Sequence, residues 1–350
     1  MRVFADKIAS VTRNLKLDHQ LTLTREVRAE HGAVIAGRVL REKSTYNTLE
    51  DRFGRMVVVQ AGDVVVGALG HRNALHGYEG VLPKKVDAGQ TLHLLNLGGV
   101  IGECVSHNPD VGRPFELEVL GQVLTFPEIG SRAGVPANVS MNALAKGGAL
   151  PKVPVIIVMG TCMNAGKTAA ACVLVRRLRQ EGLRVGGVKL TGVSLMRDTL
   201  SMRDYGATTT ADFTDAGVVC TAPGTSVVET ARSIFAALGG RGVDVIVAET
   251  GDGIMGEYGV QDILADPALR ALGTVFLFCA NDPVGAAGGV AHLKQQYGIQ
   301  VDLVTGPTTD NRVGQRFVER ELGVVAHNAR TEPDKVAERV LALLAARKAA

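Results

Sequence analysis

Apolar residues are spaced differently in the two halves of the chain. Before residue 150 the apolar runs are short and close together, and Gly, Asp, Asn or Pro separates them. Short runs at such spacing predict the strands of an all-β barrel or sandwich. The predicted strands include Ala33–Leu40, Met56–Val59, Val64–Leu69, Leu92–Leu97 and Phe115–Leu120. We therefore predict a β-rich domain over residues 1–145.

The C-terminal half alternates buried strands with amphipathic helices. Val155–Met159 is a continuous apolar run, as expected of a strand covered on both faces. Further strands are predicted at Arg184–Leu190, Val243–Ala248, Thr274–Ala280, Gln300–Val304 and Val324–Ala326. Helices are predicted at Thr168–Gln180, Ser226–Leu238, Gln261–Leu272, Val284–Tyr297, Asn311–Leu322 and Pro333–Ala346. This alternation predicts an α/β domain over residues 150–350, with a doubly wound parallel sheet. The Gly- and Pro-bearing segment 121–153 is predicted to be a linker.

Composition narrows the possible partners. The 38 basic and 35 acidic residues leave a net charge of +3, and aromatic residues make up 4% with no Trp. This balance argues against a dedicated nucleic-acid or membrane-surface protein. No apolar run reaches the length of a membrane span, no secretory leader stands at the start, and the five cysteines are scattered. We expect a cytoplasmic protein that binds neither nucleic acid nor membrane.

The loop after the first strand of the α/β half is a candidate phosphate-binding loop. It lies between an apolar strand and a helix, where backbone N–H groups and the helix N-terminus attract phosphate. Five residues, rather than the four of the strict P-loop motif, separate Gly160 from Gly166. Lys167 is expected to reach the β- and γ-phosphates, and the Thr168 hydroxyl to hold Mg²⁺. The predicted nucleotide ligands are Gly160, Thr161, Asn164, Ala165, Gly166, Lys167 and Thr168. ATP and Mg²⁺ are the expected cofactors.

This loop resembles that of a known group. Gly160-Thr161, four further residues and then Gly166-Lys167-Thr168 look like dethiobiotin synthetase and the cobyric acid synthase relatives, in the deviant-Walker class of P-loop proteins. In the MinD and nitrogenase-iron-protein branch a signature Lys stands five residues before the P-loop Lys, and dethiobiotin synthetase has an Asp there. Cys162 occupies that position in this chain. The resemblance implies a nucleotide-using enzyme more than a dimerising switch.

Two more strand ends extend the resemblance. Val243–Gly253 is similar to the V-E-G-x-G strand end of dethiobiotin synthetase, whose Glu serves Mg²⁺. A carboxylate there would face the P-loop, so Glu249 is the first candidate metal ligand and Asp252 the second, with a helix N-cap as the alternative role for Asp252. Gly186–Gly192 resembles the K-P-x-x-T-G segment, whose Lys helps to hold substrate and phosphate. That role is implied for Lys189, with a solvated surface Lys as the alternative.

The similarity also reaches a family of two-domain P-loop proteins, over roughly residues 153–345. These proteins place a separate N-terminal domain before a domain like dethiobiotin synthetase, and some are linked to N-acylation of D-amino acids. Ala211–Phe213 and Asp215–Gly217 look like their D-F-x-x-G-type segment. No family resemblance is found in residues 1–145.

Other polar segments are candidates for binding. Asn281 and Asn311 follow later strands and are predicted to read the nucleobase, with adenine favoured because no N-K-x-D guanine signature is present. Met196–Tyr205 is either a lid whose Arg197 and Arg203 clamp an anion or a solvated helix. The loop His71–Tyr78 is a candidate for an anion or a metal.

These features favour an ATP- and Mg²⁺-dependent enzyme that activates a small carboxylate or amino-acid substrate, as in a ligase. Lys167, Glu249 and Lys189 are its predicted catalytic residues, and Thr168, Glu249 and Asp252 its predicted metal ligands. Two alternatives stay open. One is an N-acyltransferase whose P-loop holds a phosphate of acetyl-CoA, and the other is a nucleotide-dependent switch or regulator. A homo-oligomer, such as a dimer, is expected in each case.

Overall fold

The computed structural model describes residues 1–128, 130 and 132–349. Its contacts divide the chain into two compact units. The N-terminal unit holds residues 1–144 together with 193–197 and 213–225, and the C-terminal unit holds 145–192, 198–212 and the residues from 226 onwards. Two short segments from the C-terminal half thus pack within the N-terminal unit. Whether 1–145 and 150–350 fold as independent domains stays a prediction.

Short strands make up the N-terminal unit. They are β1 (Arg2–Phe4), β2 (Lys7–Ile8), β3 (Gln20–Thr24), β4 (Glu26–Val27), β5 (Val34–Val39), β6 (Thr48–Glu50), β7 (Met56–Val58), β8 (Val64–Leu69), β9 (Arg72–Asn73), β10 (Tyr78–Val81), β11 (Val86–Asp87), β12 (Thr91–Leu94), β13 (Val100–His107), β14 (Phe115–Thr125) and β15 (Val135–Pro136). Short 3₁₀ helices cover Ser10–Leu15 and Pro109–Val111.

The pairing of these strands closes on itself. β14 pairs with β5, β5 with β8, β8 with β13, β13 with β12, and β12 with β14 again. Alternate residues of β14, among them Phe115, Leu117 and Val119, face the apolar core inside this ring. Because the ring is closed, none of its strands has a free edge. Of the two predicted architectures, barrel and sandwich, the structure is therefore a barrel.

The five predicted strands of this unit are confirmed, with shifted ends. The run predicted to Leu97 ends at Leu94, because a turn follows in which Gly99 has a φ of 95° and the Asn96 side chain accepts from the Val100 N–H. The linker predicted at 121–153 starts too early, because β14 continues to Thr125. Within the same predicted linker, Ile129 and Ser131 lie outside the described residues.

A parallel sheet organises the C-terminal unit. Its strands are β16 (Val155–Gly160), β17 (Val185–Lys189), β18 (Thr209–Asp212), β19 (Val245–Glu249), β20 (Gly273–Cys279) and β21 (Leu303–Thr305). Its helices are α1 (Lys167–Gln180), α2 (Arg197–Asp204, whose first residue groups with the other unit), α3 (Val227–Gly239), α4 (Val260–Ala265), α5 (Pro267–Leu272), α6 (Pro283–Tyr297), α7 (Arg312–Phe317) and α8 (Pro333–Ala349). The order β18-β17-β19-β16-β20-β21 places β16 between β19 and β20. Apolar side chains of the strands and of α1 and α8 form a core beside the sheet.

The α/β prediction is confirmed, with local corrections. The helix predicted at Gln261–Leu272 is split, because Asp266 caps α5 through the Leu269 N–H and Pro267 cannot continue α4. Val324–Ala326 forms only a bridge, between Ala326 and Val304, and not a strand. The helix predicted at Asn311–Leu322 is α7 followed by a π-helical turn at Val318–Leu322. Within the described residues, no helix combines the length and apolar character that crossing a membrane requires.

Candidate functional site

Residues 161–166 form a tight loop between β16 and α1. Asn164 and Gly166 have φ values of 61° and 91°, so the chain turns through left-handed conformations before the helix begins. The Thr161 N–H donates to the Cys279 carbonyl at 2.9 Å, and the Ile254 N–H donates to the Gly160 carbonyl at 3.0 Å. The loop is therefore anchored to the end of β20 and the last residue of β16 to the segment after β19, and the first N–H groups of α1 open onto the loop.

Lys167 lies inside this loop. It is 6% exposed, and its Nζ donates to the Cys162 carbonyl at 2.6 Å. Burial lowers the pKa of Lys167, the nearby Lys189 ammonium lowers it further, and Glu249 opposes both effects. The ammonium is thus only partly balanced by the protein. A phosphate group in the loop would supply the missing negative charge.

Four polar side chains meet at the ends of the adjacent strands β17 and β19. Lys189 and Glu249 are register partners at these ends. Lys189 Nζ lies 2.6 Å from Glu249 Oε1 and 2.7 Å from Asp198 Oδ2. Thr168 Oγ1 lies 3.0 Å from Glu249 Oε1 and 3.3 Å from Asp198 Oδ1. Burial alone would lower the pKa of Lys189, but the two carboxylates outweigh it and raise that pKa above its usual range.

The donor set around Thr168 fits Mg²⁺. Glu249 is 1% exposed, and its Oε2 has no hydrogen-bond partner among the described residues. Such an oxygen is costly to bury unless a cation joins it. Asp252 is 8% exposed and lies close enough to Lys167 to raise its pKa. In the described residues no cluster of three or more His, Cys, Asp or Glu forms a metal cage. Mg²⁺ needs none beside a phosphate, because it takes one or two carboxylates and fills its other positions with phosphate oxygens and water.

The helix N-cap alternative for Asp252 is wrong. No helix begins at this residue, because Gly259 caps α4 and Val260 is its first residue. The solvated alternative for Lys189 is also wrong, since its side chain is 13% exposed and pairs with two acids.

A shallow groove lies on the other side of the P-loop. It encloses about 340 Å³, counted up to open solvent. Its lining residues come from the P-loop, α1 and the loops after β21 and before α8: Asn164, Gly166, Ala169, Gly306, Pro307, Asp310, Asn328, Ala329 and Arg330. The groove adjoins the P-loop, and its lining includes the polar side chains of Asp310, Asn328 and Arg330. A nucleobase site needs polar groups of this kind.

The two predicted base-reading asparagines lie apart from this groove's lining. Asn281 Nδ2 lies 3.0 Å from Cys162 Sγ, against the P-loop. Asn311 caps α7, where its side-chain oxygen accepts from the N–H groups of Val313 and Gly314. Because that oxygen already accepts two hydrogen bonds, Asn311 is poorly placed to bind a nucleobase. It caps α7 instead.

Sequence reasoning missed Asp198 and the end of the groove at Asn328 and Arg330. Asp198 lies in the segment Met196–Tyr205, of which Arg197–Asp204 forms α2. Whether α2 acts as a lid stays a prediction. Only its alternation of arginines and acids was visible in the sequence, and this did not single out one carboxylate. Asn328 and Arg330 follow the run Val324–Ala326, in which Ala326 pairs with Val304 of β21 through an isolated parallel bridge. The rule that ligands bind beyond strand ends would have pointed to them.

Comparison with known proteins yields structural neighbours only. No family model matches this chain, and no curated protein matches it. The signal recognition particle receptor FtsY from Elizabethkingia anophelis aligns with 16% identity and a TM-score of 0.35, covering 51% of this chain and 59% of that one. The same receptor in complex with GDP aligns with 14% identity and a TM-score of 0.37, covering 53% and 60%. FtsY from Mycoplasma mycoides aligns with 11% identity and a TM-score of 0.34, covering 51% and 61%.

The matched region spans about 60% of the length of these neighbours. Within this chain, β16, the turn at 161–166 and α1 have the geometry of a P-loop. The parallel sheet around them has six strands, with β16 between β19 and β20.

Proposed function

We propose that this protein is a Mg²⁺-dependent enzyme that uses a nucleoside triphosphate, in the first place ATP, to activate a small carboxylate substrate. The observation that carries the proposal is the convergence of Lys167, Thr168, Glu249, Asp198 and Lys189 at one edge of the sheet. The ligase-like reaction and its substrate class are proposals that this arrangement supports by its charges.

The roles follow from position. Lys167 and the N–H groups at the start of α1 would hold the β- and γ-phosphates. Thr168, Glu249 and Asp198 would hold Mg²⁺, with Asp252 nearby. When bound, Mg²⁺ neutralises charge on the phosphate oxygens. Because these groups are buried and held by one another, they need little rearrangement as charge develops in the transferring phosphoryl group.

Lys189 would add a third positive charge to the site, besides Lys167 and Mg²⁺. Its ammonium lies between Glu249 and Asp198, and its raised pKa keeps it charged. A substrate carboxylate oxygen would attack the γ-phosphorus, the bond to the β-phosphate oxygen would break, and the nucleoside diphosphate would leave. An amine would then attack the acyl carbon of the acyl phosphate and release phosphate, and the proton lost by the amine would pass to solvent. Lys189 and the bound Mg²⁺ together would balance the negative charges of Glu249, Asp198 and the incoming carboxylate.

The groove beside Gly166 also favours an alternative to ATP. Asp310 lines it, and a carboxylate accepts from the N1–H and amino group of guanine but cannot pair in this way with adenine. One oxygen of Asp310 already accepts from Asn328 Nδ2 at 2.9 Å. The other oxygen and the second lone-pair site of this one leave two acceptor positions for a base. GTP is therefore the second candidate, and Asp310→Asn should shift the preference toward ATP.

Product analysis tests the proposal. The full chain is incubated with Mg²⁺, with ATP or GTP, with ammonia, and with one of a set of carboxylates and amino acids. The release of ADP or GDP is measured. Release that requires a particular carboxylate supports the proposal. Consumption of acetyl-CoA without nucleoside diphosphate would establish the acyltransferase alternative instead. Hydrolysis that no substrate stimulates would favour the switch.

A further inference from the structure

A short segment of the C-terminal half lies in the N-terminal unit just before the chain reaches the candidate site. Residues 193–197, the strap, group with the barrel strands, whereas the next residue, Asp198, groups with the C-terminal unit. The Ser194 N–H donates to the Val219 carbonyl at 2.9 Å. The strap is therefore paired with the other inserted segment, 213–225, inside the N-terminal unit.

Two buried side chains of the same unit hold the strap. Asn96 is 3% exposed, and its Nδ2 donates to the Ser194 carbonyl at 2.7 Å. Glu50 is 1% exposed, and its Oε2 accepts from the Met196 N–H at 2.7 Å. A Cβ added to Gly98 would collide with the Ser194 oxygen, so the strap lies directly against the turn that contains Gly98. The backbone of the strap is thus fixed at two points by side chains that are shielded from water.

The surroundings of Glu50 indicate that it serves the strap. Its Oε1 is buried and has no hydrogen-bond partner among the described residues. A buried carboxylate oxygen without a partner lowers stability, so the barrel itself does not benefit from this acid. Met196 directly precedes α2, and the first N–H groups of a helix have no partner within it, so a negative charge is favourable there. Glu50 is placed to fix the start of α2.

Asp198 lies two residues beyond the N–H group that Glu50 holds. Two residues of chain span at most about 7 Å, so Asp198 has little freedom to move while the strap is anchored. Later in α2, Met202 is buried in the core of the C-terminal unit. Between these two anchors Asp198 pairs with Lys189 at 2.7 Å. The first turn of α2, which carries the acid, is the part that depends most on the strap.

We propose that Glu50 and Asn96 are positioning residues of the candidate metal site, and that through the strap they hold Asp198 where it can bind Mg²⁺. This inference rests on the proposed function, because it takes Asp198 as a metal ligand. Glu50 and Asn96 act through the backbone and need no contact with nucleotide or substrate. The N-terminal unit thereby acquires a role in the chemistry of the P-loop edge, since loss of either anchor would loosen one of the acids that hold the metal.

The loop His71–Tyr78 of the same unit has no comparable link to the strap. His71 accepts from the Leu82 N–H through Nδ1 at 3.3 Å, and the buried Arg72 donates to Tyr46 Oη at 3.1 Å. Within the described part of the chain, no metal-binding cluster includes its histidines. Anion binding by this loop stays a prediction.

Hydrogen exchange of the full chain, without nucleotide or Mg²⁺, tests the anchoring itself. Glu50→Ala removes the acceptor for the Met196 N–H, so the amides of the strap and of the first turn of α2 should exchange about 10-fold faster or more. Glu50→Gln keeps an acceptor oxygen and should stay within about 3-fold of wild type. Glu26→Ala, at an exposed glutamate of the same unit, is the matched control.

Asn96→Asp provides a second variant in case Glu50→Ala does not fold. It keeps the side-chain oxygen that accepts from the Val100 N–H but loses the donor to Ser194, so the strap should again exchange faster. Amides of α1 should exchange as in wild type and show that the fold is intact. Wild-type exchange of the strap and of α2 in the folded variants would overturn the proposal.

A double-mutant cycle tests whether the effect reaches the metal. Calorimetry measures how much Mg²⁺ raises the affinity for ATP or GTP, whichever binds more tightly, in wild type, Glu50→Ala, Asp198→Asn and the double variant. Glu50→Ala should reduce this Mg²⁺ effect by about 3-fold or more, leave the affinity without Mg²⁺ unchanged, and add nothing once Asp198→Asn is present. Asn96→Asp takes the place of Glu50→Ala if the latter does not fold.

The outcomes of the cycle separate the two claims. If Glu50→Ala leaves the Mg²⁺ effect unchanged, or reduces it equally with and without Asp198→Asn, the anchors do not act through Asp198 and this inference is overturned while the proposed function stands. If Mg²⁺ has no effect on nucleotide affinity in the wild-type protein, the proposed function fails and the metal role of Asp198 fails with it.

Discussion

The two units hold their buried cations in opposite ways. In the C-terminal unit, Lys189 lies within 2.7 Å of two carboxylates, Glu249 and Asp198. In the N-terminal unit, Lys43 and Arg72 have aromatic rings, hydroxyls and carbonyls around them but form no ion pair among the described residues. The cluster of Lys189, Glu249 and Asp198 carries one more negative than positive charge, so it can take a further cation. Lys43 and Arg72 are instead stabilised by aromatic rings and by hydrogen-bond acceptors without charge.

The largest effect should come from Lys167→Ala. This substitution removes the ammonium inside the P-loop, and we expect nucleotide affinity to fall by about 1000-fold, since a charged contact in a dry site is lost. The fold should persist, because the hydrogen bond of the Lys167 ammonium is to the Cys162 carbonyl of its own loop. Calorimetry measures the affinity, and circular dichroism checks the fold. Lys152→Ala, at an exposed residue of the same unit, is the control. Wild-type affinity in the Lys167→Ala protein would rule out the P-loop role.

A pair of lysine substitutions tests the contrast itself. Lys189→Met leaves two neighbouring carboxylates without a cation, so we expect a stability loss of about 3 kcal/mol or more. Lys43→Met removes a cation that has no acidic partner, so the loss should be about 1 kcal/mol or less. Denaturant unfolding of both proteins measures this difference.

Mg²⁺ should sharpen the result, because it would replace the missing charge near Glu249 and raise the stability of Lys189→Met more than that of wild type. Equal losses in the two variants, with no effect of Mg²⁺, would show that the pairing of Lys189 is unimportant for stability.

Glu249→Gln separates binding from chemistry. It keeps the size of the side chain but removes the charge that would hold Mg²⁺, which acts most strongly in the transition state. Turnover should fall by about 100-fold, and nucleotide affinity by less than about 10-fold. Steady-state kinetics and calorimetry provide the two numbers. Glu229→Gln, at an exposed glutamate in the first turn of α3, should match wild type in both. Equal losses of binding and rate would assign Glu249 a structural role.

The last prediction concerns pH and the N-terminal unit. Burial, and then the neighbouring His71, lower the pKa of His31 to about 4. His31 Nε2 also accepts from the Val219 N–H at 3.0 Å, which a protonated ring cannot do. Between pH 6.5 and 4 the unfolded chain binds the proton and the folded unit does not, so stability should fall as the pH falls through this range.

Nuclear magnetic resonance titration checks this directly. The His31 ring should stay neutral down to about pH 4, and His31→Gln should remove part of the acid sensitivity of unfolding. A His31 ring that titrates near 6.5 in the folded protein would contradict the expectation.

The sequence indicated that Lys167, Thr168, Lys189 and Glu249 lie at one edge of the sheet, and their roles in binding stay predictions. Lys189 and Glu249 end parallel strands, and Lys167 and Thr168 begin the helix after the strand beside them, so the topology brings the four together. Asp198 could not be singled out, because it reaches the site from α2, whose position depends on packing between elements. No local pattern reports such packing.

The pair of cations in the N-terminal unit was hidden for a similar reason. Lys43, Arg72 and Phe115 come from distant segments, and only the closed ring of strands brings them together. β13 was missed because its last residues are mostly exposed and show no alternation of apolar and polar positions. The alternation of apolar and polar residues reveals a strand only where one of its faces is buried. The exposed second half of β13 has no such face.

Calorimetric titration of the full chain with ATP and with GTP, each with and without Mg²⁺, tests the central claim most directly. If the C-terminal unit is a Mg²⁺-assisted nucleotide site, one of the two triphosphates should bind, and its affinity should rise by about 10-fold or more with Mg²⁺. If neither triphosphate binds, or if Mg²⁺ leaves the affinity unchanged, the assignment of Lys167, Thr168 and Glu249 to a metal–nucleotide site is contradicted.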